Sequence, residues 1–183
     1  MVRNYERRHY FMAIGIAILF ISPLLLIIMP SFVVNSLYHE PGTWVVVVPG
    51  NSYILYGAGF FLLVVAALTI YFFNVRKIAV LISIGFVMIS SLLFYYGTKP
   101  FRAISDQGIS YREEITGEIN TFTWEDINYI NYYDVDWSEG FDQYEFFFKD
   151  GKHIQVTQNG SVMPYSIAIS NKLKEAKIDI HWK

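Results

Sequence analysis

Residues 52–98 read SYILYGAGFFLLVVAALTIYFF, then NVRK, then IAVLISIGFVMISSLLFYYGT. The first and last of these blocks contain no Asp, Glu, Lys, Arg or His. Each matches the roughly 20 apolar residues that a helix needs to cross a bilayer. One charge at the centre of such a helix would cost about 3 kcal/mol on insertion scales. Asn74 to Lys77 leave room only for a tight turn, so the two blocks predict a transmembrane helical hairpin.

A third charge-free run, Tyr10 to Pro30, lies upstream behind a basic N-terminus. It is longer than the apolar core of a cleavable signal peptide and ends without an A-x-A-like site, so it reads as a retained first span. Pro23 is expected to kink this span, and Pro30 to end it or to mark its exit, because proline lacks the amide hydrogen that helix propagation needs. Residues 31–51 then form a loop, in which Trp44 to Val48 reads either as a surface segment or as a short strand. The chain thus divides into a membrane domain over 1–98, with spans at about 10–30, 52–73 and 78–98, and a soluble domain over 99–183.

Charge supports that division. The chain is 54% hydrophobic and 16% charged, against about 25% charged in a typical soluble domain. Residues 1–98 hold five basic and two acidic side chains, a net of +3, and residues 99–183 hold nine basic and fourteen acidic, a net of −5. The tail has no basic surplus for nucleic acid or anionic lipid. The chain has no cysteine, which removes disulfides, thiol catalysis and thiolate metal sites. Arg3, Arg7, Arg8, Arg76 and Lys77 fall on one side of the spans, Lys99 and Arg102 on the other. The bias predicts a cell-membrane protein with a cytoplasmic N-terminus and an extracytoplasmic C-terminal domain. The spans hold no ionisable side chain, which argues against a transporter or an intramembrane protease.

The tail changes pattern to a β-rich α+β domain. Strands are expected over Phe101–Ser105, Ile109–Glu114, Glu118–Trp124, Ile127–Tyr133, Tyr144–Lys149, His153–Thr157 and Ile178–Trp182, with Asp150-Gly151 as a hairpin turn. Pro164 to Ala176 reads as a helix, with Ile167, Ser170, Leu173 and Ala176 on one face.

Ile104-Ser105-Asp106-Gln107-Gly108-Ile109-Ser110-Tyr111, Phe122-Thr123-Trp124-Glu125-Asp126-Ile127 and Phe146-Phe147-Phe148-Lys149-Asp150-Gly151 carry a "D-x-G-I" turn, a "W-x-D-I" step and a later hairpin. In this the C-terminal half resembles the bacterial pleckstrin-homology-like domain found after N-terminal membrane spans. The resemblance covers about 85 of the 183 residues. It implies a curved antiparallel sheet capped by one C-terminal helix, and it implies no catalytic residue and no cofactor. Relatives of this layout often have two spans and a cytoplasmic domain; three spans here point the domain outward.

Two groups of tail residues are candidates for function. Asp134, Asp136, Ser138, Asp142 and Glu145 fall at the side-chain ligand positions of a helix–loop–helix calcium loop. Glu139 stands where that loop needs glycine, with Gly140 one place late, so any calcium site is expected to be weak and a solvated acidic hairpin loop is the favoured reading. The aromatic run predicts a binding surface including Tyr132, Tyr133, Trp137 and Phe141, since strand alternation buries only about half of such a run in one core. No zinc, Ser-His-Asp or P-loop motif is present. The expected function is non-enzymatic: a multi-pass protein, embedded in the lipid bilayer, that presents a binding domain to a protein or peptide partner in a sensing, accessory or immunity role. The alternatives are a subunit of a membrane transport complex and a membrane-anchored enzyme with no recognisable motif.

Overall fold

The computed structural model describes residues 6–136 and 138–183. It holds two units. One comprises the chain up to Val33 together with Val48–Pro100, and the other Val34–Val47 with Phe101–Lys183.

The first unit is helical. Helices α1 (Arg7–Tyr38), α2 (Gly50–Phe72) and α3 (Lys77–Gly97) are each long and apolar enough to cross a membrane. α2 and α3 pack through small residues at seven-residue spacing: Ser52, Gly59 and Ala66 on one, Ser83, Ser90 and Gly97 on the other, all buried. The Ser83 hydroxyl donates to the Ala66 carbonyl and that of Ser90 to the Gly59 carbonyl, both at 2.8 Å. A Cβ on Gly59 would meet the Phe94 ring at 2.7 Å, and one on Gly97 the Tyr56 ring at 2.8 Å. A seven-residue repeat keeps one face of each helix on its partner along the whole seam. The turn between them holds Asn74 and Val75 at φ +53° and +57°, left-handed values that are unusual for a β-branched residue. Gly15 of α1 faces Ala67 and Leu68 of α2, and the Ser31 and Tyr53 hydroxyls lie 2.8 Å apart.

Pro30 does not end the first helix. α1 contains both Pro23 and Pro30 and runs on to Tyr38. Proline removes one helix hydrogen bond, a loss that packed surroundings can offset. The extension is anchored at two points: Val34 is fully buried, and the partly buried Tyr38 ring stacks on Phe101 at 3.9 Å and 7°.

The second unit holds two four-stranded sheets. β1 (Thr43–Val47), β2 (Phe101–Ser105), β3 (Gly108–Arg112) and β4 (Asn120–Thr123) form the first, in that spatial order and antiparallel throughout. The second has the order β7-β6-β5-β8, from β5 (Ile127–Tyr133), β6 (Gln143–Phe148), β7 (His153–Thr157) and β8 (Asp179–Trp182). β5 and β8 run parallel; the other pairs are antiparallel. The Trp44 segment is therefore a strand, and it joins the sheet of the tail: Val45 pairs with Ile104 and Val47 with Arg102. The second unit accordingly takes in not only the chain from Phe101 onward but also a segment between the first two long helices.

Between β4 and β5 the chain makes a 3₁₀ turn, Trp124–Asp126, closed by a capping box between Thr123 and Asp126. Trp124 is core, and its indole N–H points at the carbonyls of Ser105 and Asp106, 3.2 and 3.1 Å away. Gly108 opens β3 at φ +155°, where a Cβ would lie 1.9 Å from the Phe122 carbonyl oxygen; only glycine fits there. Helix α4 (Ser166–Glu175) follows a 3₁₀ turn over Met163–Tyr165 and buries Ile169 and Leu173 against Ile130, Phe146 and Ile154 of the core cluster. The expected face is thus rotated: Ile169 points inward, while Ile167 is 74% exposed.

Candidate functional site

The aromatic strands sort by the two-residue alternation of a sheet. Tyr144, Phe146 and Phe148 of β6 point into the core, while Gln143, Glu145 and Phe147 occupy the other face. On that outer face four rings form one row across four strands. His181 stacks on Tyr129 at 5.2 Å, Tyr129 on Phe147 at 4.5 Å, and Phe147 on His153 at 5.5 Å. Each of the two central rings has both faces covered, so the row offers ring edges outward. Such cross-strand stacking is worth about 0.5–1.5 kcal/mol per pair beyond area burial. Beside it, Glu145 accepts hydrogen bonds from the Asn131 amide and the Tyr133 hydroxyl, both at 2.9 Å. The Asn131 bond is the main reason that the Glu145 carboxyl sits below its ordinary pKa, and the bond to Glu145 is the main cause raising that of Tyr133.

Tyr132 points the opposite way. Its hydroxyl donates to Asp142 at 2.6 Å and lies 3.2 Å from the Gln158 amide oxygen. The other Asp142 oxygen accepts the Val135 amide at 3.1 Å. Burial first, and then the Asp142 bond, push the Tyr132 pKa strongly up. Asp142 thus ties both ends of the 134–142 loop. Asp134 and Asp136 are exposed, and the Asp136 carbonyl accepts the amides of Glu139 and Gly140 to close the turn. Gly140 takes φ +152°.

This geometry decides what the two sequence candidates become. Asp134, Asp136, Asp142 and Glu145 are not gathered into one coordinating set: Asp142 caps the loop, and Glu145 lies on the outer face of β6. Among the described residues no group of three or more His, Asp or Glu side chains is placed to hold a metal ion. A calcium loop brings its twelfth residue back on a helix, whereas here a strand carries Glu145 away. Tyr132 and Tyr133 are neighbours in one strand and so face opposite sides. Phe141 is 51% exposed beside the loop, and Trp137 lies outside the described residues.

A second feature was not read from the sequence. Between α4 and the core face of β5, β6 and β8 lies a partly open cavity of about 410 Å³. Tyr144, Leu173 and Ile180 line it, with Ile167, Lys174 and Trp182 toward its mouth. The signal in the sequence was the stripe Ile167, Ser170 and Lys174, which runs along one face of α4; only the position of β8 makes it the wall of a cavity. A scan against protein-family models and a comparison with curated proteins each gave no match.

Proposed function

We propose that the chain is a non-enzymatic, three-span membrane protein that holds a pleckstrin-homology-like binding domain at the extracytoplasmic membrane surface, in a sensing, accessory or immunity role. The observation that carries this reading is the pairing of β1 with β2. β1 follows the first span and β2 follows the third. Strands in one hydrogen-bonded sheet lie on one side of a bilayer, so the α2–α3 hairpin between them crosses and returns. The connections are short: residues 39–42 and 48–49 flank β1, and 98–100 precede β2. A chain reaches about 3.5 Å per residue when extended, which keeps the domain near the surface.

The pleckstrin-homology-like reading is supported by one antiparallel and one largely antiparallel sheet carrying the "D-x-G-I" and "W-x-D-I" turns, with α4 packed on their core. It departs in taking its first strand from between two spans and in adding a parallel β8 after the helix. The orientation draws support from Arg102. Its guanidinium bonds the Gln155 carbonyl and pairs with Glu113 at 2.8 Å, so it is a domain residue rather than a free charge at a span end. Of the two opposing charges, only Lys99 then stands directly at the membrane boundary, against Arg76 and Lys77 at the hairpin turn.

The chain has no cysteine of its own, so single introduced cysteines test this reading in intact cells with a membrane-impermeant maleimide. Glu40→Cys and Glu175→Cys should both label from outside, and Lys77→Cys only after lysis. Labelling at residue 77 alone would invert the orientation. Labelling at 40 without 175 would defeat the shared-side reading. For the binding role, crosslinking in native membranes should recover a partner that Phe141→Asp loses; recovery unchanged by that substitution counts against the loop as the contact.

A further inference from the structure

The cavity beneath α4 combines three features that the core does not otherwise need. Tyr144 is 8% exposed, and its hydroxyl makes no hydrogen bond to the described residues. The hydroxyl oxygen is not itself fully buried: it meets solvent at the open space, where a ligand can reach it. Lys174, on the same rim, makes no ion pair among the described residues, although Lys172 two residues before it pairs with Glu175 at 3.2 Å. None of the cavity-lining residues carries a carboxylate, in a tail with a net charge of −5. The remaining wall is mixed: Ser166, Ser170 and Asn171 are polar, while Leu173 and Ile180 inside and Ile167 and Trp182 at the mouth, 74% and 71% exposed, are apolar. The volume is within the roughly 300–1,000 Å³ range of small-molecule sites.

We propose that this cavity binds a small anionic amphiphile, a carboxylate on a single apolar chain. The chain lies against Leu173, Ile180 and Trp182, while the carboxylate accepts a hydrogen bond from the Tyr144 hydroxyl and pairs with the Lys174 ammonium. Burial pushes the Tyr144 pKa up, so its hydroxyl keeps the proton that such a bond requires. The ligand goes beyond the partner-binding reading above and does not depend on the orientation of the domain. The same chemistry could come from a free acid or from the chain and headgroup of a membrane lipid. The volume favours the free acid, because a two-chain lipid with its glycerol does not fit.

The test uses the full chain in phosphatidylcholine nanodiscs, with octanoate as probe and octanamide as its neutral counterpart. Hydrogen exchange of residues 166–175 and 179–182 reports occupancy. Octanoate should slow exchange in both segments, octanamide at least tenfold less effectively. Lys174→Met should weaken the octanoate effect about tenfold and Tyr144→Phe severalfold. Lys174 is exposed, so its variant keeps the test valid if the Tyr144 change disturbs folding. Absence of protection overturns the proposal, as does equal protection by octanamide or in both variants, which is partition into the bilayer alone. Protection in phosphatidylglycerol nanodiscs without octanoate would overturn the free-acid source and assign the cavity to lipid.

Discussion

Lys177 sits just past the end of α4 with φ +54°, a left-handed conformation that favours glycine. The Ile178 amide reaches back to the Leu173 carbonyl at 3.0 Å, closing the helix end. Lys177→Gly should therefore stabilise the domain by about 0.5–1 kcal/mol, read as a rise in thermal midpoint; a fall would show that the lysine side chain makes a contact worth more than the strain. Two carboxyls carry acid sensitivity. Asp126 lies below its ordinary pKa because it accepts the Thr123 hydroxyl and then the Thr123 amide, and Glu145 because it accepts the Asn131 amide. Each binds a proton less readily folded than unfolded. Their stabilisation is complete above the unfolded values of about 4 and is lost as pH falls through the lower folded values. Glu145→Gln should make the decline of stability below pH ~4 shallower; an unchanged slope would remove Glu145 from the account. At Trp124, truncation to Ala should cost about 3–5 kcal/mol, measured by denaturant unfolding, since a core ring and a shared indole hydrogen bond go together.

At the scale of elements, the α2–α3 hairpin is held by shape and by two serine hydroxyls. Ser90→Ala should cost only about 0.6 kcal/mol, the usual worth of an interhelical hydrogen bond in a membrane. Gly59→Leu should cost several times more, because even a Cβ meets Phe94 inside contact distance. Reversible unfolding of the full chain in mixed micelles checks the order; a larger loss for Ser90→Ala would mean that polar pairing, and not close approach, holds the seam. The small residues were visible in the sequence, but at the seven-residue spacing of a coiled coil rather than as a G-x-x-x-G pair, and a motif search at spacing four passes over them.

For the molecule as a whole, β1 makes the second unit discontinuous in sequence. Its Val45 is 6% exposed and belongs to the same core as Ile104 and Trp124. A fragment of residues 101–183 lacks that side chain and leaves the β2 edge open. Joining residues 39–48 to 99–183 through a short linker should raise the melting temperature by at least ~5 °C, since a domain of this size shifts about 4–8 °C per kcal/mol. Equal melting of the two fragments would make β1 an ornament of the sheet rather than part of it.

The sequence by itself determined the three apolar helices, the strands of the tail and the Asp150-Gly151 hairpin. These rest on local quantities: the transfer cost of charge, two-residue alternation and the hydrogen bonding of neighbouring backbone. Tertiary structure alone decided that α1 continues past Pro30, because the burial of Val34 and the stacking of Tyr38 on Phe101 outweigh a local helix breaker. It alone decided that Val45 to Val47 pair with a strand more than fifty residues later. The same holds for the acidic loop and the aromatic run. Spacing put Asp142 and Glu145 in one ligand pattern, and the strand between them sent one to a loop cap and the other to the outer face. Alternation showed that the rings divide between two faces, and the register of four strands decided which of them stack. The cavity beneath α4 belongs to no segment at all. It exists because β8 returns beside β5, and no local pattern in either strand encodes that meeting.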